Sequence, residues 1–174
     1  MPLSRKQLLE TAASLGLLAA VRAPASAAVA APPAATNAAA VVGAWKLESF
    51  VIDSSSESEK PRFGLNPVGY LIYTASGRMS ATLMAAHRAR LDTPNGAMST
   101  PRELADSLGN FLSYAGTYEI RGNHVFHHIE VSVFTNLVGT TLEREFTLAG
   151  DTLTIRTLPP EIWGTSNRLV WKRA

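Results

Sequence analysis

The residues best equipped for chemistry lie in one short run, HVFHHIEV at positions 124–131. His127 and His128 stand side by side there, with His124 three places before the first and Glu130 two places after the second. An imidazole changes charge near neutral pH, so it can take up or release a proton, or ligate a metal. The run reads as a β-strand, in which neighbouring side chains point to opposite faces. His127 and His128 therefore cannot share a site: one faces the interior and the other faces away.

The next strand, TTLEREFTL (140–148), settles a polarity. Leu142, Arg144, Phe146 and Leu148 share one face and Thr141, Glu143, Glu145 and Thr147 the other, so the first set is interior and Arg144 is an inward arginine. In the histidine strand Val125, His127, Ile129, Val131 and Val133 form the more apolar set, which puts His127 inside and His128 and Glu130 outside. Pairing Val133 with Thr140 sets Ile129 beside Arg144 and His127 beside Phe146. The turn at 121–124 pairs Ile120 with Val125 and Tyr118 with His127, and the same alternation turns Tyr114 inward. A single β-bulge near 122–125 or in the 135–139 loop would invert this order and bring His128, Glu130 and Arg144 together, so both registers stay open.

A buried guanidinium needs acceptors. Tyrosine hydroxyls, backbone carbonyls or a bound anionic or carbonyl ligand are the candidates here, because no inward carboxylate is evident. Arg144, Tyr114, Tyr118 and His127 among apolar walls are expected to form a ligand-binding site. A catalytic version uses His127 as general base or acid, with Tyr118, Tyr114 or Arg144 holding an oxyanion or enolate; in the inverted register His128 and Glu130 take its place. His124, His128 and Glu130 alternate on one face but match no standard zinc or cupin spacing, so no metal is expected. Neither a serine elbow nor a glycine-rich nucleotide fingerprint is present, and no cofactor is expected.

The elements that must hold these groups are short alternating runs: 43–52, 68–74, 77–84, 113–120, 124–134, 140–148, 151–157 and 167–173. Three of the connections, Ala75-Ser76-Gly77, Arg121-Gly122-Asn123 and Ala149-Gly150-Asp151, put glycine where a tight reversal needs positive φ. Sequential pairing follows, and closure into an up-and-down barrel removes the open edges. Thr100-Pro101-Arg102-Glu103 is a capping box, and Leu104, Leu108 and Phe111 follow at helical spacing. The expectation is an all-β, eight-stranded antiparallel up-and-down barrel with one short helix, about 101–112, between the third and fourth strands. That helix packs on the barrel or across one end. Residues 53–67 and 85–99 read as long, solvent-facing loops. Outward Phe126, His128 and Phe134 leave a patch for the helix or a second subunit to cover, so a homodimer is compatible.

The chain has 174 residues, 46% of them apolar, which suits one domain with a real core. It has no cysteine, which excludes disulfides, thiolate metal sites and a cysteine nucleophile. Arg5 and Lys6 precede an apolar run, Ala12 to Val21, and small residues end at Ala25-Ser26-Ala27; this is the order of a secretory signal peptide over 1–27. The run is too short for a membrane span, and a periplasmic or secreted location is expected. Its removal takes away Arg5, Lys6, Arg22 and Glu10 and leaves 13 basic and 13 acidic side chains. No basic stripe remains, so nucleic acid is not an expected partner. Residues 28–40, rich in alanine and proline, read as a linker, with the folded domain over 41–174.

Ser4-Arg5-Lys6-Gln7-Leu8-Leu9 resembles a twin-arginine export signal with lysine as the second basic residue. Gly43-Ala44-Trp45 resembles the lipocalin Gly-x-Trp signature. The series GAWKLESF, NPVGYLIYTASGRMSATLM, YAGTYEI, HHIE, VGTTLEREFTL and RLVWKR resembles the bacterial lipocalin-like domain family, within the lipocalin/calycin superfamily, across 43–173. The resemblance implies an eight-stranded barrel with a small central pocket, and a stapling role for Trp45 with Arg173 or Lys172, partly by cation–π contact. The Thr-Asp-x-x-Tyr segment of typical lipocalins is absent, so no particular ligand carries over. Two functions follow as expectations. One is an exported barrel binding a small hydrophobic or aromatic molecule with a polar or anionic handle; the other is a cofactor-independent isomerase, cyclase or lyase working by proton transfer.

Overall fold

The structure, a computed structural model, describes residues 38–52, 63–91, 99–158 and 166–174. The proposed leader and most of the linker, residues 1–37, lie outside the described residues. Eight strands make the barrel: β1 (Gly43–Ile52), β2 (Val68–Tyr73), β3 (Arg78–Met84), β4 (Phe111–Arg121), β5 (His124–Ser132), β6 (Thr141–Ala149), β7 (Thr152–Thr157) and β8 (Asn167–Arg173). Each pairs antiparallel with the next, and β8 returns to β1 to close the cylinder. Inward side chains such as Leu71, Met79, Ala81, Leu83, Leu153 and Ile155 are almost wholly buried, while their neighbours face water. Their burial drives closure, at roughly 25 cal/mol per Å² of apolar surface removed from water.

The three tight hairpins, 74–77, 122–123 and 150–151, all fall at one end, the base. The long connections fall at the other, the mouth. The base is closed by a helical turn, α1 (Ala38–Val41), which lies partly inside the stretch read as linker. The reason is anchoring. Val41 is buried, its carbonyl accepts from Trp45 Nε1 at 2.8 Å, and Arg173 donates to the carbonyls of Val42 (3.1 Å) and Ala40 (3.0 Å). The Arg173 guanidinium lies 4.2 Å from the Trp45 ring centroid, the cation–π staple that the resemblance implied. Lys172 instead bonds Thr152 outside the barrel.

Helix α2 (Pro101–Gly109) stands between β3 and β4 with its capping box intact. The Glu103 amide donates to Thr100 Oγ1 (3.3 Å) and the Thr100 amide to Glu103 Oε2 (2.7 Å). It ends three residues earlier than expected, and its stripe is not covered: Leu104 and Leu108 stay 40% and 46% exposed. Arg88, whose guanidinium donates to the Ser107 carbonyl and hydroxyl at 2.6 Å each, ties it to the barrel by polar contacts. In the β1–β2 loop, expected to face solvent, Phe63 turns in and packs edge-on to Phe50 at 5.6 Å, covering the mouth side of the core.

The β4–β5 register is the expected one, with Ile120 opposite Val125 and Tyr118 opposite His127. Further along, a bulge sets Ala115 opposite Val131 and Gly116 opposite Ile129, so Glu130 has no partner in the ladder. The backbones close up there: a Cβ on Gly116 would lie 1.9 Å from the His128 carbonyl oxygen. The bulge turns Val131, expected inside, out to 66% exposure. The β5–β6 register also differs. Val125 faces Arg144 and His127 faces Leu142, four residues from the expected pairing. The connection folds as a 3-10 turn at Thr135–Leu137 whose Leu137 is buried, and this consumes the residues that a tighter hairpin would have paired. The shift is even, so the faces are preserved.

Candidate ligand-binding site

Alternation on β5 delivers His127 to the interior, where it is 2% exposed, and on β6 it delivers Arg144, 5% exposed. The inverted register does not form. His128 hydrogen-bonds Thr141 outside the barrel (2.9 Å), and Glu130 pairs with Arg78 there (2.6 Å). His124 contacts Glu143 at 2.6 Å. These three candidate ligands each engage a different neighbour, and no cluster fit to hold a metal ion occurs among the described residues. Neither His128 nor Glu130 meets Arg144. The outward Phe126 ring is covered by Arg121, 4.9 Å from its centroid, and Phe134 packs against the core.

Inside, the polar groups form one chain. Tyr73 Oη lies 2.7 Å from His127 Nε2, and Tyr114 Oη lies 3.2 Å from His127 Nδ1. Arg144 donates to the Glu143 carbonyl at 3.0 Å, and its charge acts on the Tyr114 hydroxyl. A backbone carbonyl thus supplies one acceptor for the inward arginine. Tyr118 is opposite His127 in the ladder but does not bond it: its hydroxyl donates to the Thr74 carbonyl at the base (3.0 Å), and its ring lies tilted against Tyr73, centroids 4.6 Å apart. The expected His127–Tyr118 pair is replaced by His127 between Tyr73 and Tyr114.

Tyr73 was not anticipated. Its strand, VGYLIY, is apolar on both faces: Val68, Tyr70 and Ile72 point out, while Leu71 and Tyr73 point in. The usable signal was the pairing of Leu71 with inward Trp45, which carries Tyr73 to the same face.

Burial dominates the electrostatics. It holds His127 well below the usual imidazole range, and the Arg144 charge pushes it the same way, so the ring is neutral at ordinary pH. Burial raises both Tyr73 and Tyr114, against a smaller opposing pull from Arg144. The Arg144 pKa is lowered by burial, partly offset by Tyr114 and Tyr73. An arginine so placed still carries its charge.

This cluster forms one side of a cavity whose other walls are apolar, among them Phe50, Leu71, Leu83, Leu112, Leu169 and Trp171. Its empty space, part of it open to solvent, is about 490 Å³. An eight-stranded barrel leaves an interior that is either filled or just able to hold one small ligand. Beneath the cavity Tyr73, Val125, Phe146 and Leu153 form a packed layer with no room for water. Trp171 brings a further donor: its buried indole N–H finds no acceptor among the described residues.

A closed up-and-down barrel with a small, mostly apolar lumen and one polar cluster defines a lipocalin-type architecture. The chain belongs to the lipocalin-like domain family, whose model matches residues 42–174. It is also similar to a protein of Aspergillus oryzae named 4'-hydroxy-3'-methoxypropiophenone carrier protein ppsC. The two are 29% identical over 106 residues, which span 55% of this chain and 96% of that one.

Proposed function

We propose that this protein is a carrier that holds a small aromatic molecule in the barrel lumen, its ring against the apolar walls and its polar handle against Tyr114 and Arg144. The observation that carries this reading is the polar cluster set into a mostly apolar cavity. The name of the Aspergillus oryzae relative supports it, since it specifies an aryl ketone bearing a phenol and a methoxy group. Proton-transfer catalysis is the weaker reading. Both nitrogens of His127 are engaged by tyrosine hydroxyls, so the imidazole has no free face for a substrate.

Trp171 in the cavity wall supplies the readout. Titration with 4'-hydroxy-3'-methoxypropiophenone should give a saturable change in tryptophan fluorescence. Protein purified from its own host should carry a small aromatic mass in native mass spectrometry. An unliganded native protein that also fails to bind aryl ketones overturns the proposal. The same reading includes export, supported by the basic, apolar and small-residue order of residues 1–27. Fractionated cells should yield a chain cleaved near Ala27 outside the cytoplasm; an intact chain retained inside overturns that part.

A further inference from the structure

The hydrogen bonds of the polar cluster have a direction that can be worked out from which donors have somewhere to go. Among the described residues the Tyr73 hydroxyl meets one polar partner, His127 Nε2 at 2.7 Å. Tyr73 is 2% exposed and is not among the residues that border the cavity. If His127 carried its proton on Nε2, it would donate to Tyr73, and the Tyr73 O–H would be buried with no acceptor. A buried donor left unmade is costly. If Tyr73 donates to Nε2, the neutral ring must carry its proton on Nδ1 and donate to the Tyr114 oxygen, 3.2 Å away. Tyr114 then accepts from the imidazole, next to the Arg144 charge, and its own O–H turns elsewhere. Unlike Tyr73, Tyr114 borders the cavity, where water or a ligand can receive that proton. The neutrality of the buried imidazole is consistent with this scheme, because a doubly protonated ring would strand the Tyr73 proton.

We infer that Tyr73 fixes His127 as its Nδ1–H tautomer, so that Tyr114 presents its O–H to the lumen and the cavity selects ligands that place an acceptor oxygen, such as an aryl ketone carbonyl, at that point. The inference rests on the carrier reading for its ligand but not for its tautomer. Trp171 also lines the cavity, and its buried indole N–H has no acceptor among the described residues. Tyr114 is the specificity residue in this scheme. Tyr73 is a positioning residue that acts through the imidazole and need not touch the ligand.

Two measurements test it. Long-range proton–nitrogen correlation spectra of histidine-labelled, ligand-free protein should show His127 with its proton on Nδ1; a proton on Nε2 overturns the inference. Affinities are then compared for 4'-hydroxy-3'-methoxypropiophenone and 2-methoxy-4-propylphenol, which lacks only the carbonyl. The folded wild type should favour the ketone by about two- to tenfold, the range of one net hydrogen bond. Tyr114→Phe should bring that ratio close to one. Tyr73→Phe, nearly isosteric, should mix the two tautomers and lower the ratio in step. A ratio unchanged in Tyr114→Phe, or a pure Nδ1–H tautomer in Tyr73→Phe, overturns the scheme. If neither probe binds, the carrier reading for this ligand class fails, while the tautomer spectrum still decides the hydrogen-bond direction.

Discussion

Two buried tryptophans sit at different levels of this barrel, and they are treated differently. At the base, Trp45 gives its indole N–H to Val41 and lies under Arg173, which binds two further carbonyls and contacts Asp151 at 3.3 Å. At the cavity, Trp171 is equally buried, yet its N–H finds no acceptor among the described residues. The first arrangement gains stability by satisfying every group it buries. The second leaves a buried donor unsatisfied, at a cost to the protein. The comparison separates a region that secures the fold from the region to which the carrier reading assigns recognition.

Substitutions can sharpen that division. Trp45→Ala, which removes a large buried ring and the staple together, should cost about 3–5 kcal/mol in urea unfolding. A loss below 1 kcal/mol would mean that the base is not where the barrel is secured. Arg144→Met should act the other way, weakening aryl ketone binding by about 10- to 100-fold through loss of a charged hydrogen bond. Its stability should change little, because replacing a buried charge by an apolar group of similar size is often neutral. A large loss of stability with unchanged affinity would reassign Arg144 to the fold.

The pH dependence of stability provides a third check. The His127 pKa is depressed in the folded protein, so the unfolded chain takes up the proton more readily. The stabilising contribution of the neutral ring is therefore full above the ordinary imidazole value of 6.5 and declines as the pH falls below it. The slope should reach about 1.4 kcal/mol per pH unit for this one group. Wild type minus His127→Gln should show that slope; parallel curves would contradict a neutral, buried imidazole. The smallest effect is expected from paired phenylalanine replacements. Trp45→Phe strands the Val41 carbonyl, whereas Trp171→Phe removes a donor already stranded, so the first should be the more destabilising by about 1 kcal/mol. Equal losses would indicate that the two indoles are equivalent.

Strand alternation made much of this legible. Polar residues on β6 mark its outer face so clearly that Arg144 could be set inside, and the apolar odd positions of β5 brought His127 with it. The glycine-bearing turn at 121–124 placed Tyr118 opposite His127 correctly. What escaped had physical reasons. Tyr73 sits on a strand apolar on both faces, so alternation carried no information there. The bulge opposite Gly116 is a backbone event that side-chain pattern does not record, and it reversed Val131. The 133–140 connection hides a 3-10 turn, which shifted the β5–β6 pairing by four residues without changing what faces in. Adjacency in the ladder likewise misled for Tyr118: a long side chain reaches past its neighbour, and its hydroxyl found the Thr74 carbonyl instead.

The closing strand ends at the base, where the Ala174 amide bonds the Ala44 carbonyl, while every long connection lies at the opposite end. On the carrier reading, a sensor tethered through Ala174 would hold the molecule upright, its opening towards the flowing sample and its anchor beside the tryptophan–arginine clamp. Engineers wishing to retune its capture could rebuild the connections around that opening without disturbing that clamp.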